Sequence, residues 1–155
     1  MIAAKTKAPD FELQNQDTKP ITLSQFLGSF VMLYFYPKDD TSGCASEACA
    51  IRDSYAEFTS AGIVVLGVSQ DSPQSHQQFI KKYRLPFTLL ADVDKKVVKL
   101  YDVWGPKKFM GREFLGTKRD SFLISPKGKI AKIYRGVKPA VHAVEVLNDI
   151  QTFKR

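Results

Sequence analysis

The chain has 155 residues, of which 44% are hydrophobic and 25% charged, with a formal net charge of +7. These values are typical of a single soluble globular domain, and they argue against a disordered chain, a fibrous repeat and a membrane-spanning protein. Residues 1–9 lack the apolar core of a secretory signal. We therefore expect a cytoplasmic protein with one domain over residues 1–155.

The positive charge lies mostly in the second half of the chain. Its basic residues occur singly or in pairs such as Lys81-Lys82, and no nucleic-acid-binding motif surrounds them. We therefore expect a solvated basic surface with weak affinity for polyanions, without a specific nucleic-acid partner and without a membrane partner.

Apolar runs and helical spacing alternate along the chain. The continuous apolar runs predict buried strands at residues 29–36, Ile63–Ser69 and 87–91. Helical spacing predicts helices at residues 43–59, 71–83, 93–101 and 139–153. On the last helix, one face should pack inward, formed by Val141, Val144, Leu147 and Ile150.

The remaining segments are a hairpin and a loop. The turn Pro126-Lys127-Gly128 predicts a β-hairpin between residues 120–125 and Ile130–Tyr134. Residues 104–118 have no clear periodicity and are expected to form a long irregular loop. This element order predicts a thioredoxin-like α/β fold, with a central mixed sheet flanked by helices. In such sheets, functional sites form at the carboxyl ends of strands, and Cys44 follows one of them.

The two cysteines of the chain, Cys44 and Cys49, lie in one short segment at a strand-to-helix junction. In a reducing cytosol, such a pair is more often redox-active or metal-binding than a structural disulfide. A zinc site needs about four ligands, and the two histidines, His76 and His142, are far away in sequence. We therefore expect no metal.

The position of Cys44 favours a reactive thiolate. It lies in the first turn of the predicted helix, and a helix N-terminus stabilises negative charge. Thr41 and Gly43 can offer a hydroxyl group and a backbone N–H group to a thiolate or an incoming anion. A cation should also lie nearby, and Arg119, at the start of the hairpin, is the natural candidate because arginine remains charged.

The cysteine spacing limits how the two sulfurs can meet. On a continuous helix, residues five positions apart are separated by about 7.5 Å of rise and about 140° of rotation. A disulfide tolerates Cα separations up to about 6.8 Å. Cys44 and Cys49 can therefore bond only if the first helical turn unwinds. The spacing also differs from the Cys-x-x-Cys of dithiol oxidoreductases. Two inert buried thiols remain an alternative at this point.

The same segment resembles the active-site signature of the peroxiredoxin family, Pro-x-x-x-Thr/Ser-x-x-Cys, with Pro37, Thr41 and Cys44 at its positions. Cys49 is the hallmark of the bacterioferritin comigratory protein, or peroxiredoxin Q, subfamily. Further blocks similar to that subfamily follow in order: Ala8-Pro9-Asp10-Phe11, Val68-Ser69 with Asp71, Leu85-Pro86-Phe87, Leu90-Ala91-Asp92, Val103-Trp104-Gly105 and Arg119-Asp120-Ser121-Phe122-Leu123-Ile124.

The resemblance implies a thiol peroxidase. Cys44 would be the peroxidatic cysteine, which attacks hydrogen peroxide or an organic hydroperoxide and becomes a sulfenic acid. Thr41 and Arg119 would orient the peroxide and stabilise the departing oxygen, and Pro37 would shield the sulfenate. Cys49 would be the resolving cysteine and form a transient intramolecular disulfide. Thioredoxin or a similar dithiol protein would reduce this disulfide, no cofactor is implied, and the protein would be a monomer.

Three further residues modify this interpretation. Glu47 would position Arg119, or would simply be an acid near a helix N-terminus. The subfamily usually has proline at the position of Ser42 and threonine at that of Ala45, and these departures bear on rate and substrate preference.

Two other functions use the same thiols: a peroxide sensor and a thiol–disulfide relay protein.

Overall fold

The structure, a computed structural model, describes residues 2–154. Its centre is a seven-stranded mixed sheet with the strand order β2-β1-β5-β4-β3-β8-β9. The strands are β1 (Glu12–Asn15), β2 (Pro20–Thr22), β3 (Phe30–Phe35), β4 (Ile63–Ser69), β5 (Thr88–Ala91), β8 (Ser121–Ile124) and β9 (Ile130–Tyr134). A separate two-stranded sheet is formed by β6 (Trp104–Phe109) and β7 (Arg112–Thr117).

Five α-helices accompany the sheet in the part of the chain that the structure describes. They are α1 (Ser42–Asp53), α2 (Tyr55–Ser60), α3 (Pro73–Tyr83), α4 (Lys96–Leu100) and α5 (His142–Phe153). The parallel pairs β3–β4 and β4–β5 are connected through α1, α2 and α3, whereas β8 and β9 are joined by a tight turn. Within residues 2–154, no helix is both long enough and apolar enough to cross a bilayer.

Strand β3 shows why two hydrophobic cores form. Its side chains alternate between the two faces of the sheet, as strand geometry requires. Met32 and Tyr34 lie in one core, which also receives residues from α1, α2, α3 and α5. Val31, Leu33 and Phe35 lie in the other, against α4 and the N-terminal segment. The predicted α/β architecture, a mixed sheet flanked by helices, is confirmed.

Two of the predicted helices differ in detail from the observed ones. The helix expected over residues 43–59 is divided at Ser54, which leaves the helical region and separates α1 from α2. The inward face predicted for the last helix is wrong in part, because Val141 and Val144 are each 55% exposed. The buried positions in that region are instead His142, Ala143, Val146 and Ile150, where a histidine replaces an apolar residue in the pattern.

The prediction of a long irregular loop at residues 104–118 is wrong. This segment is the β6–β7 hairpin, paired from Trp104 opposite Thr117 to Phe109 opposite Arg112. Met110 and Gly111, both with positive φ, form its two-residue turn. Most of the described side chains of β7 are exposed on both faces, so no apolar alternation marks the strand in the sequence.

Candidate active site

Cys44 lies where strand β3 leads into helix α1. Strand β3 lies inside the sheet, between β4 and β8, and a short loop connects its carboxyl end to α1. Thr41 is the N-cap residue, with extended backbone (φ −84°, ψ 156°), and Cys44 follows in the first turn. The Cys44 side chain is 1% exposed. The thiol is therefore held against the core, at the positive end of a helix.

Arg119 reaches Cys44 from the other half of the chain. Strand β8 is antiparallel to β3, and Tyr34 pairs with Ser121, so the start of β8 lies beside the end of β3. Arg119 immediately precedes β8, and its Nη2 atom donates a hydrogen bond to Sγ of Cys44 at 3.3 Å. This geometry places a permanent positive charge beside the sulfur, where it favours a thiolate.

Glu47 holds the other side of the same guanidinium group. Its Oε1 atom accepts a hydrogen bond from Nη1 of Arg119 at 3.0 Å, while its side chain is 1% exposed. Within residues 2–154, the second carboxylate oxygen of Glu47 has no hydrogen-bond partner. Burial raises the pKa of Glu47 from its ordinary 4.5 to about 7, although the charge of Arg119 opposes this shift. The two terminal nitrogens of Arg119 thus contact different groups: Nη2 contacts the thiol of Cys44, and Nη1 contacts the buried acid Glu47.

Thr41 and Pro37 lie on the loop that precedes Cys44. The Thr41 hydroxyl donates its hydrogen to the carbonyl oxygen of Lys38 at 2.9 Å. Because that hydrogen is committed, the oxygen of Thr41 presents lone pairs and acts as an acceptor. Thr41 is exposed and Pro37 is half-buried, so the loop forms one wall of an accessible site.

Cys49 occupies the second turn of α1 and is half-buried, and both thiols are free. The helix is continuous from Ser42 to Asp53, so the two cysteines are separated by regular helical geometry. Five residues of α-helix correspond to about 7.5 Å of rise, which exceeds the reach of a disulfide. A bond between Cys44 and Cys49 therefore requires the helix to unwind.

Sequence reasoning missed two contributions to this region. Lys107, from the hairpin, is half-buried near Arg119, and its pKa is lowered by burial and by that positive charge. The sequence of residues 104–118 shows no clear periodicity, so no signal in it places Lys107 here. The second omission is Asp39, which is 8% exposed within the loop itself. Beside Arg119 there is an open pocket, lined by Asp102, Lys107, Lys118, Arg119, Asp120, Arg135 and Gly136.

Comparison with known proteins gives one consistent result. The model of the AhpC/TSA family matches residues 4–133. Peroxiredoxin Bcp of Bacillus subtilis is 43% identical over 145 residues, which cover 94% of this chain and 92% of that protein.

Solved structures agree with this match. The bacterioferritin comigratory protein of Xanthomonas campestris, described for its alkyl peroxide reduction activity, is 34% identical with a TM-score of 0.91, covering 99% of this chain and 100% of that one. A mutant of Xylella fastidiosa PrxQ is 31% identical with a TM-score of 0.93, covering 100% of this chain and 99% of that one. The thioredoxin-like fold predicted from the sequence is thereby confirmed.

Proposed function

The chain belongs to the AhpC/TSA family and is a peroxiredoxin, a thiol-dependent peroxidase, and on this premise we propose that Cys44 is its peroxidatic residue. The observation that carries the proposal is the hydrogen bond from Arg119 to Sγ of Cys44, because it stabilises the nucleophilic form of the sulfur. The substrates are hydrogen peroxide and organic hydroperoxides. The alkyl peroxide reduction described for the Xanthomonas campestris relative supports the second class.

In the first step, the Cys44 thiolate attacks the terminal oxygen of the peroxide. A sulfur–oxygen bond forms while the oxygen–oxygen bond breaks, so the sulfur is oxidised to a sulfenic acid and an alkoxide or hydroxide departs. The departing oxygen then takes a proton to become an alcohol or water. Arg119 stabilises the negative charge as it moves from sulfur to the leaving oxygen.

Thr41 and Pro37 complete the peroxide site in this proposal. The hydroxyl oxygen of Thr41 accepts a hydrogen bond from the peroxide O–H group, since its own hydrogen is donated to Lys38. This contact orients the terminal oxygen toward the sulfur. Pro37 covers the sulfenic acid and limits its access to water and to a second peroxide molecule.

Cys49 resolves the sulfenic acid. Once the start of α1 unwinds, the Cys49 thiolate attacks the sulfur of Cys44, a disulfide forms and hydroxide leaves as water after taking a proton. A dithiol reductant, thioredoxin or a similar protein, then supplies two electrons and restores both thiols. Because resolution is internal to the chain, a monomer suffices, and the cycle suits the reducing cytoplasm.

The test is mass analysis of the intact protein and its peptides after one equivalent of peroxide. Wild-type protein should show a Cys44–Cys49 disulfide, whereas the Cys49→Ser variant should stop at a sulfenic acid on Cys44. Cys44→Ser should not consume peroxide, and turnover in that variant would contradict the assignment. Under steady-state conditions with thioredoxin and its reductase, many equivalents should be consumed; a single equivalent would indicate a sensor instead.

A further inference from the structure

Asp39 is a buried acid in the middle of the peroxide-binding loop. Its carboxylate accepts hydrogen bonds from the hydroxyl groups of Tyr36 (2.6 Å) and Ser75 (2.8 Å). The same carboxylate lies 2.7 Å from Nδ1 of His76, whose side chain is fully buried in α3. The reaction described above does not use these groups, although Asp39 lies between Pro37 and Thr41.

The hydrogen-bond partners engage both ring nitrogens of His76. Nε2 of His76 is 2.9 Å from the carbonyl oxygen of Leu90, which can only accept, so Nε2 carries a hydrogen. Nδ1 lies 2.7 Å from Oδ2 of Asp39, so a hydrogen bond joins the ring to the carboxyl group. His76 therefore bridges strand β5 and the peroxide-binding loop. A buried polar network whose members are all hydrogen-bonded fixes the geometry of its neighbours.

Further hydrogen bonds hold the loop on either side of this contact between Asp39 and His76. The amide of Asp39 donates to Asp71 at 2.8 Å, and that carboxylate also accepts from Ser69 at 2.6 Å. The next residue, Asp40, has a positive φ of 58°. Its exposed carboxylate contacts Lys82 and Tyr83, near the end of α3.

The start of α1 lacks comparable restraints. Thr41 and Ser42 are exposed, and within residues 2–154 the Thr41 side chain makes no hydrogen bond to the helix that it caps. The first-turn contact of Cys44 with Arg119 involves the sulfur itself. The side-chain hydrogen bonds that tie the loop to α3 therefore end at Asp40, and the next two residues, Thr41 and Ser42, are exposed.

We propose that the Asp39–His76 hydrogen bond is a positioning element that clamps the peroxide-binding loop to α3 and sets the N-terminal limit of the segment that unwinds. This proposal rests on the proposed function, because only the Cys44–Cys49 disulfide requires unwinding. The clamp keeps Pro37 and Thr41 in place while the turn that contains Cys44 opens. His76 acts through Asp39 and does not touch the peroxide.

The His76→Phe variant removes the hydrogen bond to Asp39, and two rates report the result. The rate constant for the reaction of Cys44 with peroxide should fall at least about tenfold, because the loop no longer holds the reacting groups in line. Disulfide formation should not slow. Because overoxidation is a second reaction of Cys44 with peroxide and competes with disulfide formation, the fraction of Cys44 overoxidised to sulfinic acid in excess peroxide should fall. His76→Asn, whose amide can still donate to Asp39, should recover part of the peroxide rate.

Val98→Ala is the matched control, since Val98 is fully buried in the core on the other face of the sheet. It should lower stability without changing either rate, which separates positioning from general destabilisation. A folded His76→Phe protein with wild-type peroxide rate and wild-type overoxidation would overturn the proposal. A wild-type protein that fails to reduce peroxide would instead overturn the proposed function.

Amide hydrogen exchange on the wild-type chain gives an independent test that needs no variant. The disulfide is formed with diamide, so the measurement does not depend on peroxidase activity. On oxidation, the amides of residues 45–48 should lose protection while the Asp39 amide keeps it. Equal loss of protection at Asp39 would overturn the proposal.

Discussion

The guanidinium group of Arg119 lies directly over Gly43. A Cβ atom built on Gly43 would come within 2.9 Å of Nη2, the same nitrogen that donates to Sγ of Cys44. Gly43 has no positive φ, so space rather than backbone conformation demands glycine here. A side chain at position 43 and the Arg119 guanidinium group that contacts the thiol would therefore compete for the same space.

Gly43→Ala should separate stability from activity. Because Nη2 ends a flexible side chain, the new methyl group can push it away, and alanine within a helix adds up to about 1 kcal/mol of stability. Loss of the Arg119 contact should slow the reaction with peroxide by about 10-fold or more. Denaturant unfolding and stopped-flow kinetics measure the two effects, with Ser42→Ala as the neighbouring control. A variant with wild-type reactivity would contradict this account.

Arg119→Lys should not preserve activity although it preserves charge. Lysine carries a single ammonium group, which cannot reproduce the planar fork that serves Cys44 and Glu47 together. We expect the rate constant with peroxide to fall by about 10²-fold or more, as when a donor to a transition-state oxygen is removed. Lys118→Ala, at the adjacent exposed position, should react like the wild-type protein. Comparable rates for Arg119→Lys and wild type would show that charge alone suffices.

Glu47 should make stability depend on pH. Its pKa is raised to about 7 in the folded protein, so the unfolded chain loses this proton at lower pH than the folded chain does. Wild-type stability should therefore fall, relative to Glu47→Gln, as pH rises from about 4.5 to about 7, by up to about 3 kcal/mol. Urea unfolding across this range measures the difference, and Glu57→Gln, at an exposed position of α2, is the control. Parallel stability profiles for wild type and Glu47→Gln would refute the expectation.

Ser42→Pro should stabilise the intact helix and slow its unwinding. Ser42 is the first residue of α1, where proline is favourable, and Thr41 already has the extended backbone that a following proline requires. The substitution should add about 0.4–1 kcal/mol of stability. Disulfide formation after oxidation should become slower, and more Cys44 should be overoxidised in excess peroxide. Quenched-flow mass analysis measures both, and faster disulfide formation would be the opposite result.

The sequence was sufficient for those features that leave a local pattern. Buried strands such as Ile63–Ser69 are continuous apolar runs, and Pro73 at the start of α3 marks a helix beginning. The expectation that Arg119 supplies a cation follows from chemical need together with its position at the start of the predicted hairpin. The structure then brings that residue to the sulfur, since β8 pairs with β3.

Other features leave no local pattern. The β6–β7 hairpin is stabilised by its own backbone pairing rather than by a buried face, so periodicity cannot reveal it. Asp39 and His76 are 37 positions apart, and nothing near either residue points to the other. In the sequence, His76 could be considered only as a metal ligand. Such contacts depend on how α3 returns over the sheet, which single-sequence reasoning does not resolve.

The continuity of α1 has a consequence for redox equilibrium. In the proposed cycle the dithiol form keeps the helix, whereas the disulfide form must give up its first turn. The folding free energy of that turn is therefore added to the driving force for reduction. For this two-electron couple, every increment of about 1.4 kcal/mol in that free energy raises the reduction potential by about 30 mV. A tighter helix makes the disulfide a stronger oxidant and easier for a dithiol partner to reduce. Secondary structure thus sets the electrochemistry of the sulfur pair.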